Sequence, residues 1–279
     1  MIPVLLKDLL PRASLQQYVR KYQIFRFLFD RDKIPPTKFH APRPEHCITF
    51  YPRAPQKFSH LNLAKILTYP QCIIGGIQTD PVYRYGGNDF LAIKVVLQPS
   101  VLYHLAKLPA GELTNTFINA EDLWGKDIRI TCEKLSELDH LGEMMTVIET
   151  FIESRVNQTK KSSHPIDKVC QSMLQSEDPI SLDGLANQSS LSVRQFIRKF
   201  EERMGVNPKM FSRLVRFNKA MLMKNKVPGL DWLSIAIACG YYDYQHLVID
   251  FKEFTAHTPP SFFEHELKAP ERTFGLRES

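Results

Sequence analysis

The chain has 279 residues and a formal net charge of +6, and 43% of its residues are hydrophobic. A single hydrophobic core usually stops growing at about 250–300 residues, so this length predicts two domains. Near-average apolar and charged fractions exclude a chain that is disordered throughout, and we expect disorder only in a short linker and in the tail. No stretch reaches the roughly 18–20 apolar residues of a membrane span, and no signal-peptide cleavage site follows the N-terminus. We therefore expect a soluble, cytoplasmic protein without a membrane partner.

The five cysteines are widely spaced and form no CxxC pair, which argues against a zinc site or a disulfide framework. They are Cys47, Cys72, Cys132, Cys170 and Cys239. We expect them to be small buried residues in a reducing compartment.

The first part of the chain, to about Arg155, contains short apolar runs separated by Pro and Gly. These runs predict strands over residues 48–51, 73–76, 82–85 and 90–97, and hence a small sheet or barrel. Helical spacing follows over residues 101–108 and 138–156. The second helix has one apolar face, formed by Leu141, Met144, Met145, Ile148, Phe151 and Ile152. This face either packs against the core of its own domain or forms a dimer interface.

The polar segment 157–163 lacks apolar periodicity and is the predicted linker. It separates an N-terminal domain, residues 1–156, from a helical domain, residues 164–267, which a tail of residues 268–279 follows. The predicted fold class is α+β, with a mixed sheet or barrel and helices first and an all-α domain second. Helices are predicted over residues 166–175, 181–188, 193–204, 208–225, 232–239 and 244–254. Their predicted N-caps are Ser181, Ser192 in a capping box with Gln195, Asp231 and Asp243.

The helical domain contains an internal repeat in which each copy has an apolar-Ala pair, a turn, a cap and two apolar residues four positions apart. The first copy is formed by Leu185, Ala186, residues 189–191, Ser192, Phe196 and Phe200. The second is formed by Ile235, Ala236, residues 239–241, Asp243, Leu247 and Phe251. The corner of the second copy is one residue longer. Each copy predicts a helix, a tight turn and a second helix, which is the helix-turn-helix unit.

The faces opposite the buried anchors must be exposed, and they define the candidate site. In the first copy this face offers Arg194, Gln195, Ile197 and Arg198, and in the second it offers Tyr244, Gln245 and His246. Arginine and glutamine hydrogen-bond to base edges and phosphates, so these residues predict contacts in the major groove of double-stranded DNA. The helix predicted over residues 208–225 would hold the two units at a fixed spacing.

Positive charge is concentrated in the same region, because residues 192–226 contain ten Lys or Arg against two acids. From Val227 to Leu267 the balance reverses, with Lys252 alone against six acids. A basic segment is typical of a phosphate-binding surface, although a solvated helix face can have the same composition.

At this point the sequence resembles the AraC/XylS family of bacterial transcription regulators. The matching positions lie between Pro165 and Glu266 and include Leu185-Ala186, Phe196-x-Arg198-x-Phe200, Ile235-Ala236, Gly240-Tyr241 and Thr258-Pro259. The resemblance implies a seven-helix domain with two helix-turn-helix units that binds promoter DNA, and a transcription activator that contacts RNA polymerase. It also implies that six of the seven candidate residues occupy the base- and phosphate-contacting positions, namely Arg194, Ile197, Arg198, Tyr244, Gln245 and His246.

Two positions depart from the family pattern. Ser190 stands in the first turn where Gly is usual, in a left-handed conformation that costs a side chain some energy. Ile249 stands where the family commonly has Arg or Lys. Together with the acids after Val227, this predicts that the first unit supplies most of the affinity.

The N-terminal domain resembles, less specifically, the cupin-like sensor or dimerisation domains of the family, which implies a small-molecule effector or a homodimer. The alternative is a metal-dependent cupin enzyme fused to a DNA-binding domain. A metal site needs three or four convergent ligands, whereas His40, His46, His60 and His104 are scattered. We therefore expect no catalytic residue, no metal and no cofactor.

Overall fold

Turn residues and buried apolar runs divide the first hundred residues into ten short elements, and regular helices follow. The computed structural model describes residues 2–61, 65–159, 164–175 and 181–278. The strands are β1 (Leu5–Leu9), β2 (Val19–Leu28), β3 (Lys38–His40), β4 (Cys47–Phe50), β5 (Lys57–His60), β6 (Leu67–Thr68), β7 (Cys72–Gly75), β8 (Val82–Tyr85), β9 (Asp89–Leu97) and β10 (Phe117–Asn119). The helices are α1 (Val101–Ala106), α2 (Ala120–Glu137), α3 (Leu141–Asn157), α4 (Pro165–Gln175), α5 (Leu182–Gln188), α6 (Val193–Met204), α7 (Pro208–Lys226), α8 (Trp232–Ala238), α9 (Tyr244–Thr255) and α10 (Pro259–Glu266).

The strands form two antiparallel sheets with the orders β1-β2-β9-β4-β7-β10 and β3-β8-β5-β6. An aromatic cluster with Phe27 and Phe90 from the first sheet and Phe58 from the second packs between them. The other face of the six-stranded sheet is covered by α2 and α3, whose apolar residues share a core with β2, β4 and β9. The predicted α+β class and the four predicted strands are confirmed. The long β2 and the kinked α2, which contains Gly125 at φ 54°, were not predicted.

The apolar face of α3 resolves one alternative left open by the sequence. Met144, Ile148 and Ile152 are fully buried in the core of the N-terminal domain, where Phe151 meets Trp124 of α2 edge to face. An interior position excludes this face from a dimer interface, because its residues already contact their own domain.

The described residues of the C-terminal part form seven helices, α4 to α10, as expected. α6 spans the predicted residues, and the predicted N-caps Ser181, Ser192, Asp231 and Asp243 all accept backbone hydrogen bonds at helix starts. Ser192 and Gln195 form the predicted capping box. Residues 160–163 of the predicted linker lie outside the described residues. Within the described part of the chain, no helix is both long and apolar enough to cross a membrane.

The expectation that residues 268–279 are disordered is wrong for residues 269–278. A 3₁₀ helix, Pro270–Phe274, packs back onto the N-terminal domain, and Glu271 and Glu278 are buried. The tail has no helical or strand periodicity, so the sequence rules could not detect order that comes from specific contacts.

The N-terminal domain also holds the C-terminal end of α6. Gly205 caps this helix at φ 79°, and its carbonyl accepts a hydrogen bond of 2.7 Å from the Thr114 hydroxyl. Next to it, Arg203 is buried between the Asp167 carboxylate, at 3.0 Å, and the Tyr103 ring. The first helix-turn-helix unit therefore has a fixed orientation relative to the sheet domain.

Gly205→Ala tests this contact. The new Cβ would lie 2.6 Å from Thr114 Oγ1 and 2.8 Å from the Ala110 carbonyl oxygen, in a left-handed backbone. The conformation alone costs about 1–2 kcal/mol, so we expect the free energy of unfolding in urea to fall by at least that amount. Gly229→Ala is the control, because its Cβ meets nothing within 4 Å. Equal unfolding midpoints for the two variants would show that α6 is not held here.

His46 makes the same interface sensitive to acid. Its Nε2 lies 3.2 Å from the Met204 carbonyl oxygen and must donate, which leaves Nδ1 buried without a partner among the described residues. Burial lowers the pKa of His46 to about 4. The unfolded chain binds this proton near pH 6.5, so stability should fall from about pH 6.5 towards pH 4, by up to about 1.4 kcal/mol per pH unit. His46→Gln can keep a hydrogen-bond donor but cannot titrate. The free energy of unfolding of this variant in urea should therefore fall less between pH 6.5 and pH 4 than that of the unchanged protein. An equal fall in both proteins would contradict the assignment to His46.

Candidate DNA-binding surface

The two helix-turn-helix units have the same backbone geometry at their turns. In the first, Ser190 is left-handed at φ 55° and the Leu191 N–H donates to the Ala186 carbonyl oxygen at 3.0 Å. In the second, Gly240 at φ 76° and the Tyr241 N–H to Ala236 repeat this arrangement at 3.0 Å. The repeat detected in the sequence is therefore a structural repeat, and Ser190 adopts the conformation that was expected of it.

Buried anchors fix the second helix of each unit. Phe196 and Phe200 of α6, and Leu247 and Phe251 of α9, are each fully buried. Because these residues face inwards, the opposite faces of α6 and α9 are exposed to solvent.

On α6 the structure exposes Arg194, Gln195 and Arg198, as predicted. The Gln195 side-chain oxygen accepts from the Ser192 backbone N–H at 3.2 Å, so mainly its NH₂ group remains available to a ligand. Ile197 is only half exposed and packs against the core of the helical domain.

On α9 the structure exposes Gln245 and His246, whereas Tyr244 is half buried against the same core. His246 Nδ1 lies 2.9 Å from Asp243 Oδ1. The His246 backbone N–H and ring both hydrogen-bond this carboxylate, which lowers the pKa of Asp243. The imidazole is thus oriented by the helix cap.

The longer second corner contains a residue that sequence reasoning missed. The copies are offset by 50 positions up to Tyr241 and by 51 from Asp243, so Tyr242 is the extra residue. Its side chain is 86% exposed, and its ring contacts the His246 ring edge to face at 5.8 Å. The one-residue register shift was the available signal, because an insertion at a tight corner must project outwards.

A groove of about 670 Å³ runs along α7 between the two units. Its lining includes Lys209, Arg216 and Lys219 from α7, and His246 and Ile249 from α9. Ile249 is 56% exposed, so this position presents an apolar side chain to the groove.

Several of the ten basic residues have structural roles and are not available to phosphates. Arg203 is buried in the interdomain interface, and Lys224 donates to the Leu230 carbonyl oxygen at 2.8 Å over the Trp232 ring. Arg213 binds Asp250 at 2.7 Å and Glu253 at 2.5 Å. The hydrogen bond from Arg213 to Glu253 is the largest of the effects that raise the pKa of Arg213. The charge count therefore overstates the basic surface.

Five of the six acids after Val227 are also engaged. Asp231 and Asp243 cap helices, Asp250 and Glu253 neutralise Arg213, and Glu266 pairs with Lys38 of β3 at 3.0 Å. Among these five acids, only Asp243 lies at the start of the exposed helix α9. The excess of acids after Val227 is therefore a weaker reason than Ile249 to expect weaker DNA binding by the second unit.

A second cavity lies in the N-terminal domain beside the tail. One wall is aromatic, with Phe25, Phe27, Phe29, Tyr51 and Phe90. The other is basic, with Lys38, Arg43, Arg84 and Lys94. Burial and these cations hold the pKa of the adjacent His40 well below its ordinary value. Among the described residues, no three His, Cys, Asp or Glu side chains converge in a way that could hold a metal ion.

Two helix-turn-helix units joined by one long helix define a DNA-binding domain. A family model described as a helix-turn-helix domain matches residues 185–265. The HTH-type transcriptional regulator MtrA of Neisseria gonorrhoeae is 28% identical over 109 residues, which are 39% of this chain. The alignment covers 35% of that relative's length. The C-terminal region is thus a helix-turn-helix domain of the AraC type.

The structure was also compared with solved structures, and those found have low sequence identity to this chain. ToxT from Vibrio cholerae O395 has 11% identity and a TM-score of 0.48, covering 90% of this chain and 98% of its own. The DNA-binding domain of AdpA in complex with a target DNA has 20% identity and a TM-score of 0.35, covering 38% of this chain and 95% of its own.

Lys209 and Arg213 lie one turn apart on α7 and should behave differently. Lys209→Ala removes an exposed cation of the groove, so we expect weaker DNA binding and a salt slope smaller by about 1, with unchanged stability. Arg213→Ala leaves the buried Asp250 without its main partner, so we expect a loss of about 2–3 kcal/mol in the free energy of unfolding. Salt-titrated DNA binding and urea unfolding of both variants separate the two roles. An equal loss of DNA affinity without destabilisation would contradict the structural assignment of Arg213.

Proposed function

We propose that the protein is a sequence-specific transcription regulator of the AraC type. The supporting observation is the pair of units with equivalent turn hydrogen bonds, both packed on α7 and each exposing one polar helix face. α6 and α9 then enter successive major grooves of promoter DNA, about 34 Å apart along the duplex.

The exposed side chains suit distinct contacts. Arg194 and Arg198 bind guanine edges or phosphates, and the Gln195 and Gln245 amides hydrogen-bond base edges. Ile197 and Tyr244 offer apolar edges to thymine methyl groups, and His246, whose Nδ1–H donates to Asp243, can accept a hydrogen bond through Nε2. Tyr242 extends this set beyond the seven predicted residues. Because Ile249 adds no charge, α6 supplies more of the affinity than α9.

The N-terminal domain senses a small molecule in this proposal. Its cavity joins an aromatic wall to a cluster of four cations, and the interface at Gly205 and Arg203 connects the same domain to α6. A homodimer would use a surface other than the buried face of α3. Activation through RNA polymerase is the outcome that the AraC resemblance implies.

The enzyme alternative has no specific observation in its favour. Two of the histidines considered as ligands have other partners: His46 faces a backbone carbonyl and His104 lies 3.3 Å from Asp167. We assign no reaction to this protein.

Arg198→Ala and His246→Ala test the proposal on a duplex recovered by selection from genomic fragments with the purified protein. We expect Arg198→Ala to weaken binding by about 1–3 kcal/mol, because it removes a charged contact, and to lower the salt slope. His246→Ala should cost less than about 1 kcal/mol, since the imidazole already binds Asp243. The measurement is a fluorescence-anisotropy titration at several salt concentrations.

Arg31→Ala is the matched control, because Arg31 is an exposed arginine in the loop after β2, outside the helical domain. It should bind as the unchanged protein does. Equal losses for Arg198→Ala and His246→Ala would refute the asymmetry. Binding that is indifferent to sequence and salt would refute the proposed function itself.

A further inference from the structure

The C-terminal segment, residues 270–278, packs on the N-terminal domain and closes one side of its cavity. Its 3₁₀ helix ends at Gly275, which has a φ of 71°, and the Leu276 N–H donates to the Glu271 carbonyl oxygen at 3.0 Å. Pro270, Glu271 and Glu278 form part of the cavity wall. The segment is therefore folded and forms one part of the wall of this cavity.

Two carboxylates of the segment pair with two of the four cations of the basic wall, Lys38 and Arg43. Glu271 lies 2.6 Å from Lys38 Nζ, and Glu278 lies 3.5 Å from it and also pairs with Arg43. Glu271 is 3% exposed and Glu278 7%. Charges buried to this degree are stable only when they are paired, so the cations and the segment depend on each other.

The apolar residues of the segment pack on the aromatic wall. The Phe274 ring is parallel to the Phe27 ring at a centroid distance of 5.8 Å, and it meets Phe29 at 5.0 Å. Leu276 contacts the same aromatic cluster. The segment thus combines carboxylates with an aromatic body, and the surface of the N-terminal domain beneath it is complementary to both.

Some of the basic wall remains unsatisfied even with the segment in place. Arg43 Nε and Arg84 Nε are buried and have no hydrogen-bond partner among the described residues. Without Glu271 and Glu278, Lys38 would keep Glu266 of α10 as its partner. Arg43, by contrast, would lose its ion pair with Glu278, so an anionic ligand would find this cation to bind where the segment now lies.

We propose that residues 270–278 are a displaceable internal ligand, and that a small molecule with an anionic group on an aromatic or aliphatic body enters this cavity by displacing them. This inference rests on the proposed sensing function and gives it a ligand class and a regulatory step.

Displacement would also release a contact with the DNA-binding domain. Arg272 of the segment donates to the Asn225 side-chain oxygen at 2.6 Å, at the end of α7, and to the Glu266 carbonyl oxygen at 3.3 Å. The segment therefore connects the cavity to the helices that carry the second unit. Its release changes how firmly that unit is held.

Hydrogen–deuterium exchange of the full-length protein tests the inference directly. The probe is 8-anilinonaphthalene-1-sulfonate, an anionic aromatic dye whose fluorescence reports its own binding. At saturating dye we expect amide exchange in residues 275–278 to accelerate at least about tenfold, while α6 anchors such as Phe200 remain protected. Saturable dye binding that is lost in Lys38→Met but leaves tail exchange unchanged would overturn the proposal.

Glu278→Gln removes a competing charge and should bind the dye at least about tenfold more tightly than the unchanged protein. Glu264→Gln is the matched control, because Glu264 is exposed on α10, and its dye affinity should be unchanged. A synthetic peptide of residues 268–279 should displace the dye from Glu278→Gln. Equal dye affinity in both variants, or no competition by the peptide, would overturn the proposal.

Circular dichroism checks that Glu278→Gln is folded, and if it is not, the exchange experiment on the unchanged protein decides. The outcome is separable from that of the proposed function. The dye-dependent amide exchange of the tail is measured without DNA. Arg198→Ala should weaken promoter binding and leave this amide exchange unchanged.

Discussion

The apolar face of α7 is the constraint on which the DNA-binding surface depends. Phe211 contacts Phe200 of the first unit at 5.6 Å, and Phe217 contacts Phe251 of the second at 4.8 Å. These two residues of α7 are about 9 Å apart along the helix axis, so one rigid helix fixes the offset between the units. Neither unit has a complete core of its own, because each depends on an aromatic side chain of α7. The spacing of the exposed faces is therefore set by packing in the interior.

Charge in this domain has two separate uses, and burial distinguishes them. Arg203, Arg213 and Lys224 have buried or ion-paired head groups and hold elements together, whereas Arg194, Arg198 and Lys209 are exposed. A protein that binds a polyanion needs cations without internal partners, because a paired cation must first break its existing contact. The proposed DNA-contacting residues are thus the ones with the fewest structural contacts.

Sequence reasoning succeeded where a local rule determines the structure. Caps such as Ser192 and Asp231, and anchors four positions apart such as Phe196 and Phe200, follow from helix geometry alone. It failed where contacts between distant parts of the chain determine the structure. Val19 of β2 pairs with Leu97 of β9, which lies 78 positions further along the chain. The tail is ordered by its contacts with Lys38 and Phe27. The candidate site was predictable because its buried residues recur with the helical period, so the residues on the opposite face of the helix must be exposed. The interdomain positions of Arg203 and Gly205 were not, since nothing in their local sequence indicates the partner.

The N-terminal domain contacts the helical domain at α6, at α10, where Phe39 of β3 packs against Phe262, and at the tail, and the chemistry of these contacts differs. At α6 the contacts are a buried guanidinium, a hydroxyl and a glycine that admits no side chain, all of which favour one rigid arrangement. At the tail they are ion pairs between Lys38, Arg43 and two carboxylates, which an external anion can replace group for group. A ligand shifts a conformational equilibrium only by its differential affinity for the two states. The tail contact meets that condition, because ligand and segment use the same cations, whereas the α6 contact offers no site for exchange. In the proposed arrangement, a ligand would loosen the hold of the tail on the second unit, while the contact at α6 keeps the orientation of the first unit on the sheet domain.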